Sequence, residues 1–431
     1  MPNLSDRIKG YLLNSGVALL ALVFSLLAGE ALLRIYLDKA PWETRKSGHH
    51  KIFCEYDSVL GWRKIPNKTG RHFEDEYDVL ESFNSRGLRG PEYSYEKNEA
   101  EYRILILGDS FAEGYTVEFA ELFSEVLKKE MNNNGNKYCE VINCGTAGYS
   151  TDQELLFFQR EGNKYRPDLA ILLFYDNDPW YNTQSKYWRG YKPLFKLENG
   201  KVVLTNVPVP KPDTSAIQII SKKRSFFRGV KDWCNYNSYL YVFLRQRIEN
   251  SYDLFSLAIK LGLAETHEIA RISVPDEFKV FKKTYDDDVV KAWEITAALI
   301  KQLNEEIVSA NGKLLVFYVS PRSSIYLDDW QATKRKYEIS DQDWDTDRVG
   351  IELRKICEIN KIDFIEPTES FKTEAAKLGK NGKQLYFVED GHWNREGHEF
   401  VGETLARYIN SNYLMKTMTR AGNDLFNFKF E

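Results

Sequence analysis

The stretch ILILGDS, residues 104–110, is a run of apolar β-formers that halts at Gly108, Asp109 and Ser110. A buried strand that ends this way delivers a hydroxyl to the edge of a sheet, so Ser110 is the first candidate for chemistry. The same letters also suit a plain turn in which Asp109 and Ser110 bond nearby backbone amides. Three distant segments bear on the choice.

VINCGTAGYSTDQEL, residues 141–155, reads as a short strand, a small-residue loop and a helix opened by Ser150 or Thr151. Gly148 in that loop lets a backbone N–H face a ligand with no side chain in the way. LAILLFYDNDPW, residues 169–180, is an apolar strand ending in Asp176, Asn177 and Asp178, and an Asn there can donate its amide to a developing oxyanion. YFVEDGHWNREGHEFVGETLARYI, residues 386–409, puts an acid and a histidine just before an amphipathic helix. His392 offers a base and Asp390 a group to orient it, although Asp390 also suits a cap for the helix.

Taken together, GDS at 108–110, Gly148 in NCGTAG, Asn177 in YDND and His392 in DGHWN resemble the four ordered blocks of the SGNH, or GDSL-like, hydrolases. The resemblance runs from GWRKIPN at 61–67 to the last helix. It implies a three-layer flavodoxin-like α/β fold, a Ser110 nucleophile, a His392 base oriented by Asp390, and an oxyanion hole from the Ser110 and Gly148 N–H groups and the Asn177 amide. Two blocks depart from the family pattern. The family commonly sets its acid three residues before the histidine, where this chain has Glu389, and writes its third block GxND, where this chain has Tyr175-Asp176-Asn177-Asp178. The DGHWN form looks like the D-x-H-W block of the branch related to alginate O-acetyltransferases, which are membrane-associated and acetylate exported polysaccharide. That implies an acylated glycan or another small ester as substrate. The alternative is a glycan- or partner-binding protein of an export system that keeps the fold without turnover.

Alternation of strand and helix patterns continues through the chain: RILILG, a helix around Glu121 to Asn132, CEVIN, a helix from Thr151, then DLAILLFY. This predicts a parallel sheet with helices on both faces. The pattern breaks over about 181–286, an inserted subdomain with a hairpin at FKLENGKVVL turned by Asn199 and Gly200. It resumes with a helix from Asp286 stopped by Asn311 and Gly312, the strand KLLVFYVSP, an acidic and aromatic loop at 326–347, a helix near 350–360, and the short strand IDFIEP. The predicted organisation is a membrane anchor at 1–39, a lid or edge segment at 40–100, the hydrolase-like domain at 101–412, and a tail at 413–431 that carries Phe426 and Phe428.

Residues 11–37 hold an apolar core from Gly16 to Gly29 that, with Arg34 snorkelling, reaches the roughly 20 residues that cross a bilayer. No small-x-small cleavage site follows, so the expectation is an uncleaved single-pass anchor. Arg7 and Lys9 precede the span while Arg34, Lys39, Arg45, Lys46 and Lys51 follow it, which argues against a cytoplasmic tail. Short tails usually stay inside, and the resemblance implies an extracytoplasmic domain, so that topology is the one expected.

Composition excludes other classes. With 431 residues, 43% of them hydrophobic, the chain can bury a large core, and a net charge of -4 with no basic stripe predicts no nucleic-acid partner. Five cysteines, an odd number without CxxC spacing, write neither a zinc site nor a disulfide framework, and Cys144 reads as a core residue. Six histidines show no HExxH or similar spacing, and neither GxxxxGK[ST] nor a dinucleotide fingerprint occurs, so no metal or cofactor is expected.

Overall fold

The computed structural model describes residues 4–37, 49–134, 138–187, 190–211, 229–230, 233–234, 237–249, 257 and 274–414. The tail predicted beyond residue 414 and the expected anchor boundary near residue 39 lie outside them. The chain divides into two units, one of residues 1–46 and 213–272, the other of residues 47–212 and 273–431.

Five parallel strands build the second unit's sheet: β1 Tyr102–Leu107, β2 Cys139–Asn143, β3 Leu169–Phe174, β4 Lys313–Tyr318 and β5 Asp363–Ile365, in the order β5-β4-β3-β1-β2. This is the flavodoxin-like order, doubly wound about β1. Strands buried on both faces read as unbroken apolar runs, and β3 is buried at every position. Side-chain alternation then splits the core in two. Leu105, Leu107, Leu172, Phe174 and Val316 face one layer, into which Thr151–Arg160 (α2), Asp287–Ser309 (α3) and Arg348–Asn360 (α4) bury Leu155, Phe158, Val289, Leu299 and Leu353. Ile104, Ile106, Ile171, Leu173 and Phe317 face the other, filled from Phe123–Asn134 (α1), Thr368–Gly379 (α5) and Arg395–Ile409 (α6) by Leu127, Phe371, Val401 and Leu405. The three-layer α/β architecture is therefore present, with helices on both faces.

Strands β1, β2 and β3 are neighbours, so the loops leaving their carboxyl ends emerge side by side. Connections from β1 to either side diverge there, which opens the crevice where ligands bind in sheets of this kind. Ser110, Gly148 and Asn177 sit on these three loops.

Two elements depart from the sequence expectation. The loop expected at 326–347 contains a helix, Leu327–Tyr337, with Asp328 and Asp329 in its first turn and Lys334, Arg335 and Lys336 in its last. That charge order suits the helix dipole, and one side chain, Trp330, anchors it. The stretch Thr368–Gly379, unassigned by pattern, is α5. The Asn199-Gly200 hairpin forms as expected between Phe195–Glu198 and Lys201–Leu204, with φ of +50° and +75° at the turn. Positive φ at both central residues is the primed turn that matches strand twist.

The first unit contains an apolar helix, Leu4–Tyr36, of which Leu13–Tyr36 has a mean hydropathy of 2.2 and no burial. It is long and apolar enough to span a bilayer, by a test that a signal sequence also meets. Glu30, an acid within this run, accepts the Leu240 N–H at 2.9 Å, the Ser238 hydroxyl at 2.8 Å and Arg34 Nε at 2.7 Å. It thus satisfies a first-turn donor of the helix Tyr239–Glu249, which gives this carboxylate a structural role in the inserted segment.

Candidate active site

Gly108 ends β1 at a φ of +154°, and a Cβ there would lie 2.8 Å from Ala112 Cβ and 3.0 Å from Leu173 Cβ. Only glycine permits that crossing, which turns the chain into the short helix Ser110–Glu113. Asp109 caps this helix by accepting the Phe111 N–H at 2.9 Å. Burial pushes its carboxyl up to about 6, against the pull of His392.

Ser110 Oγ lies 2.7 Å from His392 Nε2, and His392 Nδ1 lies 2.6 Å from Asp390 Oδ1. An ionised carboxylate can only accept, so Nδ1 carries the imidazole proton and Nε2 presents its lone pair to the serine hydroxyl. Burial alone would lower the His392 pKa, but the Asp390 hydrogen bond and charge outweigh it and raise the value above 6.5. Asp390 moves the opposite way, below 3.8: the desolvation that would raise it is overcome by His392 and by a hydrogen bond from Tyr77.

The carboxyl that meets the imidazole is therefore Asp390, two residues before His392. Glu389, at the three-residue spacing, is exposed. The helix-cap alternative for Asp390 does not hold, since Asn394 caps α6 by accepting the Gly397 N–H at 3.1 Å. Gly391, at a φ of +81°, makes the reversal, and the Phe387 N–H bonds the His392 carbonyl at 2.8 Å across the turn.

Gly148 holds a φ of +79° in the β2 loop, and no backbone carbonyl among the described residues takes its N–H or that of Ser110. Asn177 follows β3 at the start of the helical turn Asp178–Tyr181 without using its side chain as a cap. Two donors and an amide are thus uncommitted at one sheet edge, the arrangement that can receive charge on a carbonyl oxygen.

Several residues that the sequence reading did not single out hold these loops. Buried Glu113 accepts the Ala147 N–H at 2.6 Å and pairs with Lys64 and with His49 Nε2, the latter at 2.9 Å. Burial would raise its pKa, but Lys64 foremost, and the His49 hydrogen bond, keep it well below 4.5. His49, His72 and Glu81 bring three ligand-type atoms within 4.8 Å of one another, a cluster made by folding and not by any sequence spacing. Around this cluster Lys64 pairs with Glu113, and the buried Arg89 guanidinium donates to the Glu113, Gly114 and Val117 carbonyls. Trp393 is fully buried against Phe111 and Phe371, beneath the site, and His398 is buried beside Phe123. Cys144 is a core residue whose thiol burial pushes well above 9.

No protein-family model matches the chain, and no curated protein matches it. Similar solved structures match at low identity. An acetyl xylan esterase, AlAXEase, shares 13% identity at a TM-score of 0.37, over 71% of this chain and 99% of that one. A lipase/acylhydrolase from Enterococcus faecalis shares 11% at 0.35, over 72% and 96%. A GDSL-like lipase from Bacteroides thetaiotaomicron shares 12% at 0.34, over 74% and 92%. Similarity this low assigns neither activity nor substrate to this chain.

Proposed function

We propose that the chain is a serine ester hydrolase or O-acyltransferase of SGNH type that works through an acyl-enzyme on Ser110. The observation that carries this is the unbroken relay from Ser110 Oγ to His392 Nε2 at 2.7 Å and from His392 Nδ1 to Asp390 Oδ1 at 2.6 Å. A serine hydroxyl near neutral pH needs such a base, already within reach, to attack.

In this reading Ser110 Oγ attacks the ester carbonyl carbon as its proton passes to His392 Nε2, leaving an imidazolium paired with Asp390. The oxyanion is received by the Ser110 and Gly148 N–H groups and the Asn177 amide. Collapse expels the alcohol, which takes the proton from His392. An acceptor hydroxyl, from water or from a sugar, then gives its proton to His392 and attacks the acyl-enzyme, and Ser110 is regenerated. The D-x-H-W form of the last block and the apolar N-terminal helix support an O-acetylated glycan as substrate, handled outside the cytoplasm at a membrane.

The test is hydrolysis of a short-chain aryl ester by the full chain in detergent, set beside Ser110→Ala and His392→Ala. Activity lost in both variants is expected. An active Ser110→Ala protein would sink the mechanism. An inactive but folded unaltered chain would count against a general esterase and point to acyl transfer with a glycan acceptor, and, should that fail too, to the binding protein.

A further inference from the structure

The turn of one antiparallel hairpin, Thr69–Phe73 with Asp78–Ser82, meets the segment that carries the acid. Glu76 Oε1 accepts the Val388 N–H at 2.7 Å, while Oε2 accepts the Glu389 and Asp390 N–H groups, each at 2.9 Å. Three successive amides thus converge on one carboxylate, in the manner of an anion nest. Beside it the Tyr77 hydroxyl donates to Asp390 Oδ2 at 3.0 Å, on the carboxylate oxygen that His392 leaves free. The Tyr77 ring is buried, 5.2 Å from Phe387 and 5.3 Å from His72 between ring centres.

Both contacts lie outside the hairpin's own ladder. Its turn is closed independently by the Glu74 N–H on the Tyr77 carbonyl at 2.8 Å. We propose that Glu76 and Tyr77 are positioning residues for the triad acid: Glu76 fixes the backbone of 388–390, and Tyr77 fixes the carboxylate plane of Asp390, so that Oδ1 faces His392. The hairpin, with Tyr77 lying 313 residues before Asp390, is in this view part of the catalytic apparatus. The inference rests on the serine reading above and deepens it.

His392 is also faced by the Asp109 carboxyl and by the Tyr115 hydroxyl, 3.3 Å from Nδ1. Both stay in place when Tyr77 or Glu76 is changed, and against that constant background the two act on His392 in opposite senses. Removing the Tyr77 hydroxyl while Glu76 still holds the loop leaves more negative charge on the oxygen pair facing the imidazole, which favours the imidazolium. Removing the Glu76 clamp loosens the Asp390–His392 bond and lets burial pull the imidazole back toward its ordinary value.

The experiment measures the rate at which a fluorophosphonate labels the full chain in detergent micelles across pH, a readout that needs no knowledge of the natural ester. The midpoint of the pH dependence should rise by roughly half a unit in Tyr77→Phe and fall in Glu76→Gln. Both variants should label more slowly at their plateau, by roughly 10- to 100-fold for Glu76→Gln. Asp75→Ala, on the same turn, should behave as the unaltered chain. Slower labelling with unmoved midpoints would mark a structural role and overturn the proposal, as would unchanged labelling, with the serine reading left standing if Ser110→Ala stays unlabelled. An unaltered chain that does not label would overturn both.

Discussion

The Glu113 carboxylate accepts the Ala147 N–H at 2.6 Å, tying the helix that begins at Ser110 to the loop that presents Gly148. Ser110 and Gly148 thus share one link that lies wholly inside the protein, and its charge is set against Lys64, itself buried.

Replacing that carboxylate separates its two duties. Glu113→Gln keeps an oxygen for the Ala147 amide but leaves the Lys64 ammonium buried without its counter-charge. Breaking one side of a buried pair costs on the order of 3 kcal/mol. Urea denaturation of the full chain in detergent should show that loss, and a change below about 1 kcal/mol would mean that Lys64 finds another partner.

The pH dependence of turnover follows from the pair at His392. The base acts when neutral, and its pKa is raised above 6.5, so kcat/KM should climb with pH through a midpoint above that value. Asp390→Asn removes the group that raises it, so the midpoint should drop, and kcat should fall on the order of 100-fold or more. Glu389 reaches the neighbouring residues through its backbone N–H, which alanine retains, so Glu389→Ala should leave both within about twofold. A midpoint that follows Glu389 instead would reverse the assignment.

The same pair has a signed effect on stability. His392, raised in the folded state, contributes fully below pH 6.5 and loses its contribution as pH rises through its folded value. Asp390, lowered in the folded state, contributes above pH 3.8 and loses it as pH falls through its folded value. The ion pair therefore stabilises most between pH 3.8 and 6.5, and subtracting the Asp390→Asn stability profile from that of the unaltered chain should show a maximum in that window.

What the sequence made legible follows from which forces are local. Strands β1 and β3 are buried on both faces, so their apolar runs stand out and their ends point to Ser110 and Asn177. The helix Leu327–Tyr337 buries a single residue, Trp330, so its charges and not a broad apolar face were the available clue. Choosing between Asp390 and Glu389 needed the reversal at Gly391, because a positive φ changes which neighbour meets the imidazole. Tyr77, Glu76 and Glu113 escape pattern reading altogether. Each acts on a residue brought near by the fold, through hydrogen bonds that leave no spacing in the chain.

Asn177 gives the most direct test of the oxyanion site. Its amide makes no cap bond, sits at the carboxyl end of β3, and belongs to a loop whose flanking acids, Asp176 and Asp178, are both buried. Burial, with Asp109 nearby, pushes the pKa of both well above 3.8, which favours their neutral forms and so limits negative charge around the amide. An amide whose flanking acids are held toward their neutral forms can meet a developing anion with less competing charge. Asn177→Ala removes one donor that matters only once the carbonyl oxygen becomes negative. It should therefore cost about 3 kcal/mol in the barrier, roughly 100-fold in kcat, while KM stays near its original value. Steady-state kinetics on an aryl ester decide it: a kcat within about threefold of the unaltered chain would place the third donor elsewhere.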